Sequence, residues 1–173
     1  CSDPQKIYFE FAQIYINLGK SYLYHNQLKE AEQSFIKATQ LSPELAEPYE
    51  NLGIIYLEQG QKIKANNAFA QSRFNQADDY YAMDSLIVAE QLYNEALAFR
   101  PFFPAAVARL GFLYYELKNS EKAQNYFSRA LKNADHDPDV FMTYADYMAK
   151  EKNWPVTIEY YLKAQQYSPN SLR

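Results

Sequence analysis

The feature that most constrains this chain is a pattern of large and small residues that returns every 34 positions. Tyr15, Leu18, Gly19, Tyr22, Ala31, Phe35, Ala38 and Pro43 are followed 34 residues later by Tyr49, Leu52, Gly53, Tyr56, Ala65 and Phe69, with Ser72 and Ala77 in the last two places. The spacing recurs as Val107, Leu110, Gly111, Tyr114, Ala123, Phe127 and Ala130, and again as Phe141, Tyr144, Ala145, Met148, Thr157, Tyr161, Ala164 and Pro169. A unit of this size is one supersecondary element that cannot bury its own apolar faces, so neighbouring units must stack.

In the first half of each unit large residues step by three and four, which places them on one face of a helix. Gly19, Gly53 and Gly111 share that face, although each costs about 1 kcal/mol relative to alanine inside a helix. Their missing side chain lets the second helix of the unit come close, with Ala31, Ala65 and Ala123 as the small partners across the pair. Phe35, Phe69, Phe127 and Tyr161 then fill the space between one pair and the next. Asn26, Gly60, Asn119 and Asn153 fall where first helices end, and these types tolerate the left-handed conformation of a helix stop. Pro43, Pro101 and Pro169 follow second helices, and Pro155 fits a first turn. Asp3 and Pro4 read as a cap and first turn, so the first helix is expected to run from Pro4 to about His25. Phe9 and Phe11 in its extra turns are expected to pack on the second helix or on a partner.

This arrangement resembles the tetratricopeptide repeat, whose motif is a large residue, Leu-Gly, Tyr, Ala, Phe, Ala and Pro at these separations. The resemblance implies an all-α solenoid of stacked antiparallel helix pairs in a right-handed superhelix. It gives a single array over 1–173 with units at about 12–45, 46–79, 104–137 and 138–171 and a degenerate unit at 80–103. Between the units starting at Ala46 and Pro104 lie 58 residues where two full units need 68. The second helix of the earlier unit is therefore expected to run on through about Tyr81, with Asp84 and Ser85 capping a helix from Leu86 to Phe99. Either this irregularity bends the solenoid and exposes Tyr80 and Tyr81, or the repeat is degenerate but packed.

In this family the first helices line a concave groove that takes partner peptides or helices. The resemblance places Ile16, Lys20 and Tyr24, then Glu50, Ile54 and Leu57, then Phe112 and Tyr115, and finally Met142 on that groove. Ala108 also falls on this surface. Chaperone-binding members clamp a terminal carboxylate with Lys and Asn. Asn51 and Arg109 stand at two matching places, but Ile16, Lys20 and Ala105 replace other clamp residues, so that specificity is not expected.

The chain has one cysteine, and it is the first residue. Cys1 followed by Ser2 resembles a mature bacterial lipoprotein, lipidated on the cysteine, and serine in the second place implies export to the outer membrane, facing the periplasm. The other reading is a fragment boundary that happens to fall there. Under the lipoprotein reading the tether is two residues long, which holds the array against the membrane or inside an assembly. No uncharged apolar run approaches the roughly 20 residues of a membrane-crossing helix. Net charge is −4 and basic residues are scattered, which argues against nucleic acid.

Catalysis finds little support. The two histidines, His25 and His136, lack metal-pair spacing. The stretch Asp135-His136-Asp137-Pro138-Asp139 reads first as a repeat junction where Asp caps and Pro starts a helix, and second as a cation site. Cys1 has no general base beside it, and Asp78-Asp79 and Glu30-Glu32 are expected on solvated faces. No enzyme, metal or cofactor is read. The expected function is a protein-interaction scaffold, with protein subunits of a membrane-associated complex as partners, and it is similar to the lipoproteins that assist type IV pilus secretin assembly. The rival is a soluble cytoplasmic adaptor that binds a peptide motif. Tyr161 and Tyr167 lack a capping helix, so a continuation or a partner is expected to cover the C-terminal end of the array.

Overall fold

The same three-residue turn is built five times in a computed structural model that describes residues 3–167. Asn26, Gly60, Asp84, Lys118 and Lys152 each take a φ between 58° and 73°. The N–H of the following residue bonds back to the carbonyl of Tyr22, Tyr56, Tyr80, Tyr114 or Met148 at 2.8–2.9 Å. This is the hydrogen bond that closes a helix through one left-handed residue. Two of the expected stops were misplaced by one residue: Lys118 and Lys152, not Asn119 and Asn153, carry the left-handed backbone. The 34-residue phase was the better guide there than residue type. Asn119 instead caps the next helix, accepting from the Lys122 N–H at 3.1 Å.

These turns join α1 (Pro4–Tyr24) to α2 (Leu28–Leu41), α3 (Ala46–Glu58) to α4 (Lys62–Ala82), α4 to α5 (Leu86–Phe99), α6 (Pro104–Glu116) to α7 (Ser120–Lys132), and α8 (Pro138–Lys150) to α9 (Trp154–Tyr167). The described residues form no strand. Asp3 accepts from the Gln5 N–H at 3.0 Å and starts α1 as expected. Asp137 does the same for α8, accepting from the Asp139 N–H at 3.0 Å, so this acidic stretch works as a helix junction. Ser85 occupies the cap position of α5 but makes no side-chain bond there, and Asp84 supplies the turn.

The glycines make room for an aromatic ring. A Cβ at Gly19 would lie 2.8 Å from the Phe35 ring, and one at Gly111 would lie 3.2 Å from the Phe127 ring. The ring thus lies over the glycine of its own pair, which the sequence reading had assigned to the gap between pairs. It serves that gap as well. Phe35 shares a buried cluster with Leu52 and Ile55 of α3, and Phe127 stacks on Tyr147 of α8 with centroids 4.6 Å apart. Tyr161 departs from this role, being 36% exposed, and among the described residues no helix after α9 lies over it. Phe9 and Phe11 are both exposed and belong to none of the buried clusters among the described residues.

Helix α4 runs unbroken for 21 residues. Its first half pairs with α3, and its second half supplies the first helix of the next pair, with α5 as the second helix. Phe74 and Ala77 stand at the same separations from Tyr93 as Ile16 and Gly19 do from Phe35. All three lie in one buried cluster, with Phe74 and Tyr93 centroids 5.9 Å apart. The ten residues missing from the repeat are therefore a turn and the helix ends that flank it. Tyr81 is half-buried and its hydroxyl donates to Glu116 at 2.5 Å, while Tyr80 is exposed.

Substitutions at the glycines separate close approach from helix propensity. Gly19→Ala sets a Cβ against a ring that is fully buried and cannot swing away, and is expected to lower stability by about 1–3 kcal/mol. Gly111→Ala meets a looser contact, and about 1 kcal/mol of helix propensity offsets it, so its denaturation midpoint is expected to stay close to that of the parent protein. Urea melts of the two variants check both.

Candidate functional site

The long α4 brings its C-terminal turns beside α6 and α8, where polar side chains of the three helices meet. Arg109 on α6 lies at its centre. Its Nε is 3.2 Å from Asp78 Oδ1, and its Nη1 donates to Thr143 Oγ1 at 3.3 Å. The Thr143 hydroxyl donates in turn to the Asp139 carbonyl at 2.7 Å, and the Tyr93 hydroxyl donates to Asp78 Oδ1 at 2.5 Å. Burial holds the Asp78 carboxyl above its ordinary value, against the opposing pull of Arg109 and Tyr93. Burial and the same carboxylate push the Tyr93 hydroxyl strongly up. Asp78 is therefore an internal partner and not the solvated side chain its sequence context suggested, while Asp79 beside it is exposed.

Two cavities meet at Arg109. One, of about 230 Å³, is lined by Glu44, Phe74, Asn75, Asp78, Asp79 and Asp139 among others. The second, of about 170 Å³, is lined by Tyr81, Phe112, Thr143 and Asp146. Phe112 sits between Tyr81 and Tyr115, with ring centroids 6.4 and 6.1 Å away. Asp146 also accepts from the Tyr161 hydroxyl at 2.5 Å, and that hydrogen bond above all pushes the hydroxyl up to about 12. Neither cavity is lined by histidine or cysteine. Among the described residues no three His, Cys, Asp or Glu side chains come together as metal ligands would. Aromatic rings (Phe74, Tyr81, Phe112) and carboxylates (Glu44, Asp78, Asp79, Asp139, Asp146) thus line the two cavities together.

Apart from Ile16 and Ala108, the residues expected on the groove fall into three groups. Phe112 lines the cavity, and Tyr115 packs edge-on to Tyr147 with centroids 5.0 Å apart. Ile54, Leu57 and Tyr24 are exposed apolar side chains, and Lys20 is exposed and paired with Glu47. Glu50 is half-buried and held by the Ser72 hydroxyl at 2.9 Å and by Arg73 at 3.0 Å, and Met142 is half-buried in the aromatic cluster of α7 and α8.

Ile16 is a correction. It is 1% exposed and lies in the cluster that Leu52 and Ile55 of α3 close over, so it belongs to the core. Ala108 is buried for the same kind of reason, in the cluster shared with α7 and α8. Cys1 lies outside the described residues. The sequence reading missed Tyr81, Asp78 and Thr143. The phase that puts Ala77 in the glycine place was the signal for Asp78, since it makes α4 a first helix there. Asn51, one of the clamp positions, donates to its own helix at Glu47 O (2.9 Å).

Stacked helix pairs around an interaction groove define the class of helical-repeat scaffolds. A model of the TPR repeat matches residues 19–60 and a model of the tetratricopeptide repeat matches residues 68–147. The chain belongs to the tetratricopeptide-repeat family. It is 28% identical over 138 residues to the human Protein O-mannosyl-transferase TMTC3, covering 76% of this chain and 13% of that protein. It is 20% identical over 164 residues to the Type IV pilus assembly protein PilF of Pseudomonas aeruginosa, covering 88% of this chain and 65% of that one. The chain thus spans less than two thirds of the length of either curated relative. Among solved structures, yeast Tom70 superposes with a TM-score of 0.54 at 16% identity, covering 95% of this chain and 36% of that chain. That likeness is one of fold.

The Arg109 network gives a stability test. Asp78→Ala leaves the Arg109 guanidinium and the Tyr93 hydroxyl without their carboxylate, and is expected to cost about 1–2 kcal/mol, since water reaches part of the pair. Asp79→Ala, one residue on but exposed, is expected to stay within about 0.5 kcal/mol of the parent. Chemical denaturation of the two variants side by side measures the difference.

Proposed function

We propose that this tetratricopeptide-repeat scaffold is a non-catalytic lipoprotein of the outer membrane, facing the periplasm, that helps assemble or stabilise a type IV pilus or secretion machine. The observation that carries the reading is the groove at α4, α6 and α8. It has aromatic walls and bonded carboxylates and no catalytic constellation, so it suits a partner segment better than a substrate. The similarity to a pilus assembly protein over 88% of the chain supports the choice of machine. The match to a transferase covers 13% of that enzyme, and the groove of this chain has no residue set arranged for group transfer. Lipidation at Cys1 rests on its sequence context alone. Two residues between the lipid and α1 would keep the array close to the membrane, and more than one acyl chain would make that attachment firm.

The rival is a cytoplasmic adaptor that recruits a peptide motif through the same groove. Mass spectrometry of the protein from its native cells separates the two. The expected result is an acylated Cys1 in the membrane fraction; an unmodified Cys1 in the soluble fraction contradicts the lipoprotein reading. A photo-crosslinking residue placed at Phe112 is then expected to capture an envelope-machine subunit, and the same probe at Lys132, on α7, is not.

A further inference from the structure

In the pairs that begin with α3, α6 and α8 the first helix has one face covered by the second helix that precedes it. Pro48, Leu52 and Ile55 on α3, Ala106, Leu110 and Leu113 on α6, and Val140 and Tyr147 on α8 hold these places, and all are buried. The covering side chains are Phe35 and Ala38 for α3, Tyr93 and Ala96 for α6, and Phe127 and Ala130 for α8. The same places on α1 are Ile14, Leu18 and Ser21. Ile14 is 59% and Leu18 39% exposed. Ile7 and Phe11 extend the row by two turns on the same helix face, and a cavity of about 210 Å³ opens beside it between Leu18, Tyr22 and Ser34.

The opposite surface stands at the other end. Where α7 meets α8, Gln124, Phe127, Ser128 and Leu131 share a cavity of about 290 Å³ with Tyr144, Tyr147 and Met148. Thirty-four residues on, the first three of these places are Ile158, Tyr161 and Leu162. Ile158 is 58% and Leu162 59% exposed, and Trp154 extends their row by one turn. Two places that are polar inside the array have thus become large and apolar on α9. An isolated apolar side chain on a surface is ordinary, but a contiguous row marks an interaction face. Neither row contains a charged residue, so pressing them together buries no unpaired charge.

We propose that copies of this chain stack head to tail, with the Ile158, Tyr161 and Leu162 face of α9 seated on the Ile14 and Leu18 face of α1 in the next copy. The occupant follows from the molecule itself: the α1-type faces of α3, α6 and α8 are each covered by a face of the α9 type, and the described residues carry an uncovered example of each on α1 and α9. Such a contact is heterologous and does not close on itself, so it propagates. It goes beyond the groove reading and uses faces outside the α4, α6 and α8 cavities.

Sedimentation of the purified protein tests this. The average mass is expected to rise with concentration above that of one chain. Leu18→Glu and Leu162→Glu, each on an exposed side chain, are both expected to sediment as single chains. An equimolar mixture of the two is expected to give a dimer and nothing larger, because each variant keeps one intact face. Ile14→Glu replaces Leu18→Glu in the mixture if circular dichroism shows that the latter has lost its helices. A wild-type protein that remains a single chain at every concentration overturns the proposal. So does a Leu162→Glu variant that still pairs with itself, or a mixture that stays monomeric.

Discussion

The array depends on one contact, an aromatic ring of a second helix laid over the smallest residue of its first helix. Phe35 on Gly19, Phe69 on Gly53 and Phe127 on Gly111 repeat it, and each glycine leaves space that a Cβ would occupy. The ring is wide enough to serve two surfaces. Its one side closes the pair, and its other side forms the floor on which the next first helix rests, as in the stack of Phe127 on Tyr147. Each pair is therefore stabilised by the pair that follows. Stability passes along the chain through nearest neighbours, as expected for a solenoid.

The same constraint explains how the repeat survives the loss of ten residues. Helix α4 keeps its direction through the place where a turn would stand, so that Ala77 lies under the Tyr93 side of α5 while Ala65 and Ala68 still serve the pair with α3. Asn75 ties this helix to the α2–α3 loop, donating to the Pro43 carbonyl at 2.8 Å. Arg73 ties it to both neighbours through Glu50 and Glu95. The fused helix also carries Asp78 and Tyr81 to the edge of the groove, where they meet Arg109 and Phe112. The chemistry of the candidate site is in this way a consequence of the deletion.

Much of this was legible in the sequence. The 34-residue phase gave the helix pairs and the run-on of α4, and the Asp3–Pro4 pair gave the extended first helix. It failed where residue type was allowed to overrule phase, at Asn119 and Asn153, whose neighbours Lys118 and Lys152 adopt the left-handed backbone because the turn geometry requires it there. Ile16 was misread for a different reason. Its position is an open one in the motif, and only the packing of α3 over α1 decides that a large apolar side chain there becomes core. Asp78 and Tyr81 were hidden because a charge and a phenol in the last turns of a long helix look solvated until the neighbouring helices are placed.

The claim that most of this rests on is that α4 is one helix shared by two pairs. Hydrogen exchange resolved at individual amides tests it directly. The amides from Ala70 to Ala77 are expected to exchange as slowly as those of the buried turns on either side, with protection lost only near Asp84. Rapid exchange confined to positions 70–75 would mean that a turn divides the helix there, and would contradict the shared-helix account.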